Sequence, residues 1–184
     1  MTLEAIYMAS DNTVKKFNTR DPYRLLNLMG AITVVSDLYE CNGLRGYCAI
    51  LNRTMYAVIN GRLKTYEQRI IAGHEASHLV IHKREIMACP VNVMKEFDIF
   101  DTFGNMGKYE WEANAFLADF LVSDEDVLDL VADIEHDYFS IARELYMPPA
   151  LFAFKLQSMI KRGHNLRNPV GLDSKFLKYD TNRW

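Results

Sequence analysis

The sequence predicts an α+β fold, mainly helical, with a small antiparallel sheet of about three strands packed beside one long helix. Three observations predict it. The short β-branched and apolar runs that read as strands lie between residues 31 and 60. From Thr65 onward the apolar spacing changes to three and four, the period of a helix. Apolar residues make up 49% of the 184 and charged residues 24%, a globular balance that excludes a disordered chain.

The first assigned element starts at Asp21-Pro22, where Asp caps a helix and Pro takes its first position. Tyr23, Leu25, Leu26, Leu28 and Met29 supply its apolar face, and it ends near Gly30. Ala31 to Val35 reads as a strand, and Cys41-Asn42-Gly43 as a turn. Leu44–Leu51 and Met55–Asn60 form a hairpin through Asn52-Arg53-Thr54. Next comes a helix carrying Ile70, Ile71, His74, His78, Ile81 and His82 on its repeating positions. Residues 86–108 contain Pro90, Gly104 and Gly107 and read as a long connection. Further helices follow at Tyr109–Leu121, Asp124–Ile134, Asp137–Leu145 and Pro149–Lys161, and an irregular tail starts at Gly163.

This organisation implies a single domain over 1–184, with a core at 20–125, a helical subregion at 126–162 and a basic tail at 163–184. Residues 1–154 carry 14 Lys/Arg against 22 Asp/Glu, while residues 155–184 carry seven against two. Asp119 to Asp137 holds eight acids and no Lys or Arg, so the basic end is expected to fold back on the acidic body. The segment from Met1 to Phe17 lacks the basic-then-apolar layout of a signal peptide, and no apolar run approaches the ~20 residues of a membrane helix. A cytoplasmic protein without membrane contact is expected. Cys41, Cys48 and Cys89 cannot all pair and show no C-x-x-C spacing, so free thiols are expected.

His74-Glu75-Ala76-Ser77-His78 is an HExxH motif on the helix that begins near Thr65. Random placement of five His and eleven Glu in a chain of this length yields about 0.008 such matches, so chance is a poor explanation. Residues four apart share a face, so both imidazoles can reach one metal ion. Glu75 is rotated by about 100°, beside rather than on the ion, where a general base belongs. Neutral imidazoles suit one Zn²⁺, and a catalytic zinc takes three protein ligands plus a water. Ile81 and Arg84 stand where a metzincin needs Gly and His, which excludes that class. His82 lies about 12 Å along the helix from His74 and is expected to pack or to hydrogen-bond a ligand.

The third ligand is expected from Tyr109-Glu110-Trp111-Glu112-Ala113-Asn114. Glu110 and Glu112 lie about 200° apart, so only one can face the ion. Glu110 shares its face with Ala113, Asn114, Leu117 and Leu121 and is the expected ligand, with Asn114 as a supporting hydrogen-bond partner. Glu112 shares a mixed face with Trp111, Ala115, Phe116 and Asp119. It remains the alternative, or else a surface residue without a role.

The hairpin Tyr47–Asn60, the run Glu67-Gln68-Arg69-Ile70 leading into HExxH, and Tyr109 to Ala118 together resemble the ImmA/IrrE family of metallopeptidases, over residues 22–125. That family pairs HExxH with a downstream ExxANxFA-type segment. The chain departs from it at Ser77, at Phe116-Leu117-Ala118 and at Leu121-Val122-Ser123, none of them a presumed ligand. The resemblance implies a zinc-dependent, gluzincin-like hydrolase with Glu110 as downstream ligand. It also implies a protein substrate, a helix-turn-helix repressor of a phage, mobile element or stress locus. A non-proteolytic zinc-containing regulator that sequesters the repressor is the alternative. An oxyanion donor is expected among Tyr109, His136 and Tyr138, and an edge strand of the hairpin is a place for substrate backbone. The segment Ile141–Leu156 superficially has a helix-turn-helix layout. Its acidic first helix and Gly-free turn predict core packing and no direct nucleic-acid binding.

Overall fold

A computed structural model describes residues 1–37, 44–88, 106–132 and 137–168. Among these residues the order is α1 (Leu3–Phe17), α2 (Pro22–Leu28), β1 (Ile32–Ser36), β2 (Gly46–Leu51), β3 (Thr54–Asn60), α3 (Thr65–Ile81), α4 (Lys83–Ala88), α5 (Met106–Leu121), α6 (Asp124–Val131), α7 (Tyr138–Glu144) and α8 (Pro149–Lys161). This is the mainly helical α+β fold that the sequence predicts. The turn at Cys41-Asn42-Gly43, Cys89, most of the 86–108 connection, His136 and residues 169–184 lie outside the described residues.

Local signals account for several boundaries. Asp21 accepts a hydrogen bond from the Arg24 amide at 2.7 Å, and Pro22 opens α2. Asn52 and Arg53 both take left-handed backbone angles, φ 48° and 66°, in the two-residue turn between β2 and β3. Positive φ at both positions is what a tight hairpin turn demands, and Asn tolerates it well. At the start of α3 the Lys64 amide donates to Glu67 at 3.1 Å, and Glu67 is also paired with Arg45 at 2.6 Å.

The sheet is mixed, which corrects the expectation of an antiparallel one. β2 and β3 pair antiparallel, but β1 lies on the other side of β3 and runs parallel to it, with Ile32 opposite Tyr56 and Ser36 opposite Asn60. The hairpin signal reports only the pairing of strands joined by a short turn. The direction of β1 is decided by where the preceding helix delivers it. A second correction concerns residues 83–88, where α4 follows a break at His82 and takes up the start of the expected connection.

α3 packs on β2 and β3 on one side and on α5 on another, and Ile70 to Leu79 are buried without interruption. α5 is the central helix, packed by α1, α3 and α8, with every residue from Glu112 to Val122 buried. α1 precedes the first element expected from the sequence, at Asp21. α1 buries Ile6, Ser10 and Thr13 and packs Leu3, Val14 and Phe17 against the core, and the spacing of Leu3, Ile6, Ser10, Val14 and Phe17 by three and four is a helical signal that the sequence does carry.

At the other end, α8 packs on α5 and α1, and α7 packs on α8, so this helical pair joins the core as predicted. The basic end does fold back where it is described. Lys155 reaches Asp119 at 3.1 Å and Asp124 at 2.7 Å, while Arg162 and His164 also meet Asp124. No helix among the described residues is long and apolar enough to cross a membrane.

Candidate metal centre

Two helices build the centre. α3 presents His74 and His78 one turn apart, and α5 crosses it with Glu110. One ligand-capable atom from each of the three lies within 4.8 Å of the other two. Glu110 straddles the imidazoles, with Oε2 3.0 Å from His74 Nε2 and Oε1 3.4 Å from His78 Nε2. The two Nε2 atoms are 3.1 Å apart. All three side chains are buried.

The close approach of the elements depends on small residues. A Cβ on Gly73 would meet Leu117 of α5, and a Cβ on Gly46 would lie 2.4 Å from Ile71 and 2.9 Å from the Val58 carbonyl. The same Cβ on Gly46 would come within 3.4 Å of Glu75 Oε1, which places that carboxylate under the first residue of β2. Cys48, also on β2, donates its thiol to Glu75.

The electrostatics follow from burial and opposite charge. Burial alone would depress His74, but Glu110 outweighs it and raises the imidazole to about 9. Burial would raise Glu110, yet His74 and the hydrogen bonds from both imidazoles hold its carboxyl well below the usual range. The triad thus favours positive charge at its centre, the preference a cation would meet. Glu75 is pushed up by burial, and the two imidazoles only partly oppose this. Burial and the Glu75 carboxylate drive the Cys48 thiol well up.

The outer nitrogens are engaged as well. His74 Nδ1 donates to Asn114 Oδ1 at 2.9 Å. His78 Nδ1 faces His82 Nδ1 at 2.9 Å, and His82 Nε2 faces Glu112 Oε2 at 2.9 Å. His82 is therefore a neighbour of the triad, bonded to one of its members. Burial, reinforced by the neighbouring His78, pushes the His82 imidazole down to about 3. Glu112 is not a surface residue: it is 3% exposed and also meets the Met1 amino group. The face that reads as mixed in the sequence is met here by the chain end that leads into α1.

The oxyanion candidates fare differently. Tyr109 is half-buried, its ring edge-on to His82 at 5.0 Å between centroids. Tyr138 donates its hydroxyl to the Pro149 carbonyl and packs on Phe139 and Phe152, where it joins α7 to α8. Cys48 is a neighbour of Glu75 that sequence reasoning missed, since its only signal is a small residue on the strand beside the motif helix.

A family model described as the IrrE N-terminal-like domain, Peptidase_M78, matches residues 39–157. The chain is also similar to a Bacillus phage phi105 protein named "Uncharacterized immunity region protein 2". The two are 29% identical over 119 residues, which cover 65% of this chain and 69% of that one. No solved structure shows significant similarity.

Proposed function

Since this chain belongs to the IrrE N-terminal-like family of peptidases, we propose that it is a zinc-dependent, gluzincin-like endopeptidase whose substrate is a helix-turn-helix repressor of a phage, mobile element or stress locus. The observation that carries the reading is the convergence of His74, His78 and Glu110 on one point, with Glu75 buried beside them. The donor set fits zinc. Two imidazoles turn Nε2 inward while their Nδ1 atoms are engaged elsewhere, and a carboxylate completes three ligands. A zinc ion there would supply Lewis acidity and an acidified water.

The chain's own residues do the rest. Glu75 accepts a proton from the attacking water on its carboxylate and returns it to the departing amine. Burial, which raises its pKa, suits it to carry that proton between the two steps. Among the described residues β2 is an outer strand of the sheet and holds Gly46 and Cys48 against Glu75, so we assign substrate backbone to its edge. Tyr109 contacts His82, whereas the Tyr138 hydroxyl is given to the Pro149 carbonyl, so we assign Tyr109 as the oxyanion donor. The phage relative, named for an immunity region, supports a repressor as substrate.

The test is to incubate wild type and Glu75→Gln with the small helix-turn-helix protein encoded beside this gene and to identify fragments by mass spectrometry. Wild type should cut at one defined bond and Glu75→Gln should not. Relief of repression by both proteins without fragments would favour sequestration instead, and equal cutting by both would overturn the role of Glu75.

A further inference from the structure

Carboxylate, imidazole and imidazole form a continuous buried chain from Glu112 through His82 to His78. The links are 2.9 Å each, and the three residues are 3%, 3% and 6% exposed. The proton positions along it can be derived from either end. An ionised carboxylate only accepts, so His82 must carry its hydrogen on Nε2 and donate it to Glu112. A neutral His82 then offers a bare Nδ1, which accepts from His78 Nδ1–H. In a neutral His78 the Nε2 atom is then the nitrogen that keeps its lone pair, and it lies 3.1 Å from His74 Nε2 and 3.4 Å from Glu110, at the point the triad shares. Starting from the centre leads to the same result, since a metal on His78 Nε2 forces the hydrogen to Nδ1 and makes His82 the acceptor.

We propose that His82 and Glu112 are positioning residues that lock His78 as an Nε2 ligand and raise its donor strength, an inference that rests on the metal centre proposed above. The two ligand imidazoles are held by unlike partners. His74 donates to a neutral amide, Asn114, whereas His78 donates into a chain ending in a carboxylate. A carboxylate behind a ligating imidazole increases its basicity, and loss of such partners weakens metal binding roughly 10- to 100-fold. Here the carboxylate acts through an inserted histidine. The chain also ties α5 to His82, the residue that caps the end of α3, so it holds the motif helix in rotation as well as setting the tautomer.

The test measures zinc and cobalt(II) affinity by chelator competition, together with the visible spectrum of the cobalt(II) protein. His82→Phe, which removes the acceptor, should lose roughly 10- to 100-fold in affinity and shift the cobalt bands. His82→Asn, which keeps an acceptor near Nδ1, should recover most of both. Wild-type affinity and spectrum in a folded His82→Phe protein would overturn the proposal. If that variant does not fold, nitrogen-15 NMR of the zinc-loaded wild type decides: hydrogen on His82 Nε2 is expected, and hydrogen on its Nδ1 would overturn it. His74→Ala serves as the control, because undiminished affinity there would refute the metal centre itself and not merely the chain behind it.

Discussion

Gly73 on α3 and Leu117 on α5 meet so closely that a Cβ on the glycine would lie 2.4 Å from Leu117 Cδ1. Leu117 is fully buried, and Pro22 Cγ stands 3.2 Å away on another side. Neither neighbour has free space, so this contact sets how near the motif helix comes to the helix bearing Glu110. Gly73→Ala should gain about 1 kcal/mol of helix propensity and lose about 1–3 kcal/mol to overpacking, for a net destabilisation. In urea unfolding, Gly73→Ala/Leu117→Ala should be less destabilised than the sum of its single variants. A Gly73→Ala protein as stable as wild type would show that the helices can separate freely.

Metal should stabilise the fold through the triad alone. At zinc concentrations 100 times the dissociation constant, linkage predicts a gain of about 2.7 kcal/mol, read as a rise in melting temperature that chelation reverses. His74→Ala, His78→Ala and Glu110→Ala should each lose that rise. A zinc-dependent rise that persists in all three variants would place the ion elsewhere.

Cys48 should be protected from thiol reagents in the folded protein. It is 3% exposed, and burial together with Glu75 keeps its thiol protonated. Peptide mapping after timed alkylation should show Cys48 labelling at the rate of global unfolding, accelerating with urea. Rapid labelling under native conditions would mean that β2 opens away from α3.

Acid stability should depend on Asp124 more than on Asp119. Burial opposes ionisation of Asp124, but Arg162 and Lys155 outweigh it and hold the carboxyl well below its usual value of 3.8. A depressed folded-state pKa stabilises the fold above the unfolded value, and that contribution is lost as pH falls through the folded one. For Asp119 burial wins over Lys155 and Ser158, the pKa is raised, and the sign reverses. Asp124→Asn should therefore flatten the fall in melting temperature below pH 4, and Asp119→Asn should not. Identical acid profiles for Asp124→Asn and wild type would contradict this assignment.

What the sequence determined is local. HExxH on a 3.6-residue period puts His74 and His78 on one face, Asp21-Pro22 starts α2, and two residues prone to a tight turn close the β2–β3 hairpin. The angular argument within α5 also singled out Glu110, which does meet both imidazoles. Tertiary structure alone decided the parallel partner of β3, the α1 cover over Glu112 and the chain from Glu112 to His78. The physical reason is range. Periodicity and turn chemistry report the environment of one element's own face, whereas the burial of the opposite face depends on which distant segment packs there. α1 carries its own helical spacing in Leu3, Ile6, Ser10, Val14 and Phe17, but that spacing does not tell which distant helix it packs on, so the interior position of Glu112 is decided only when α1 and α5 meet.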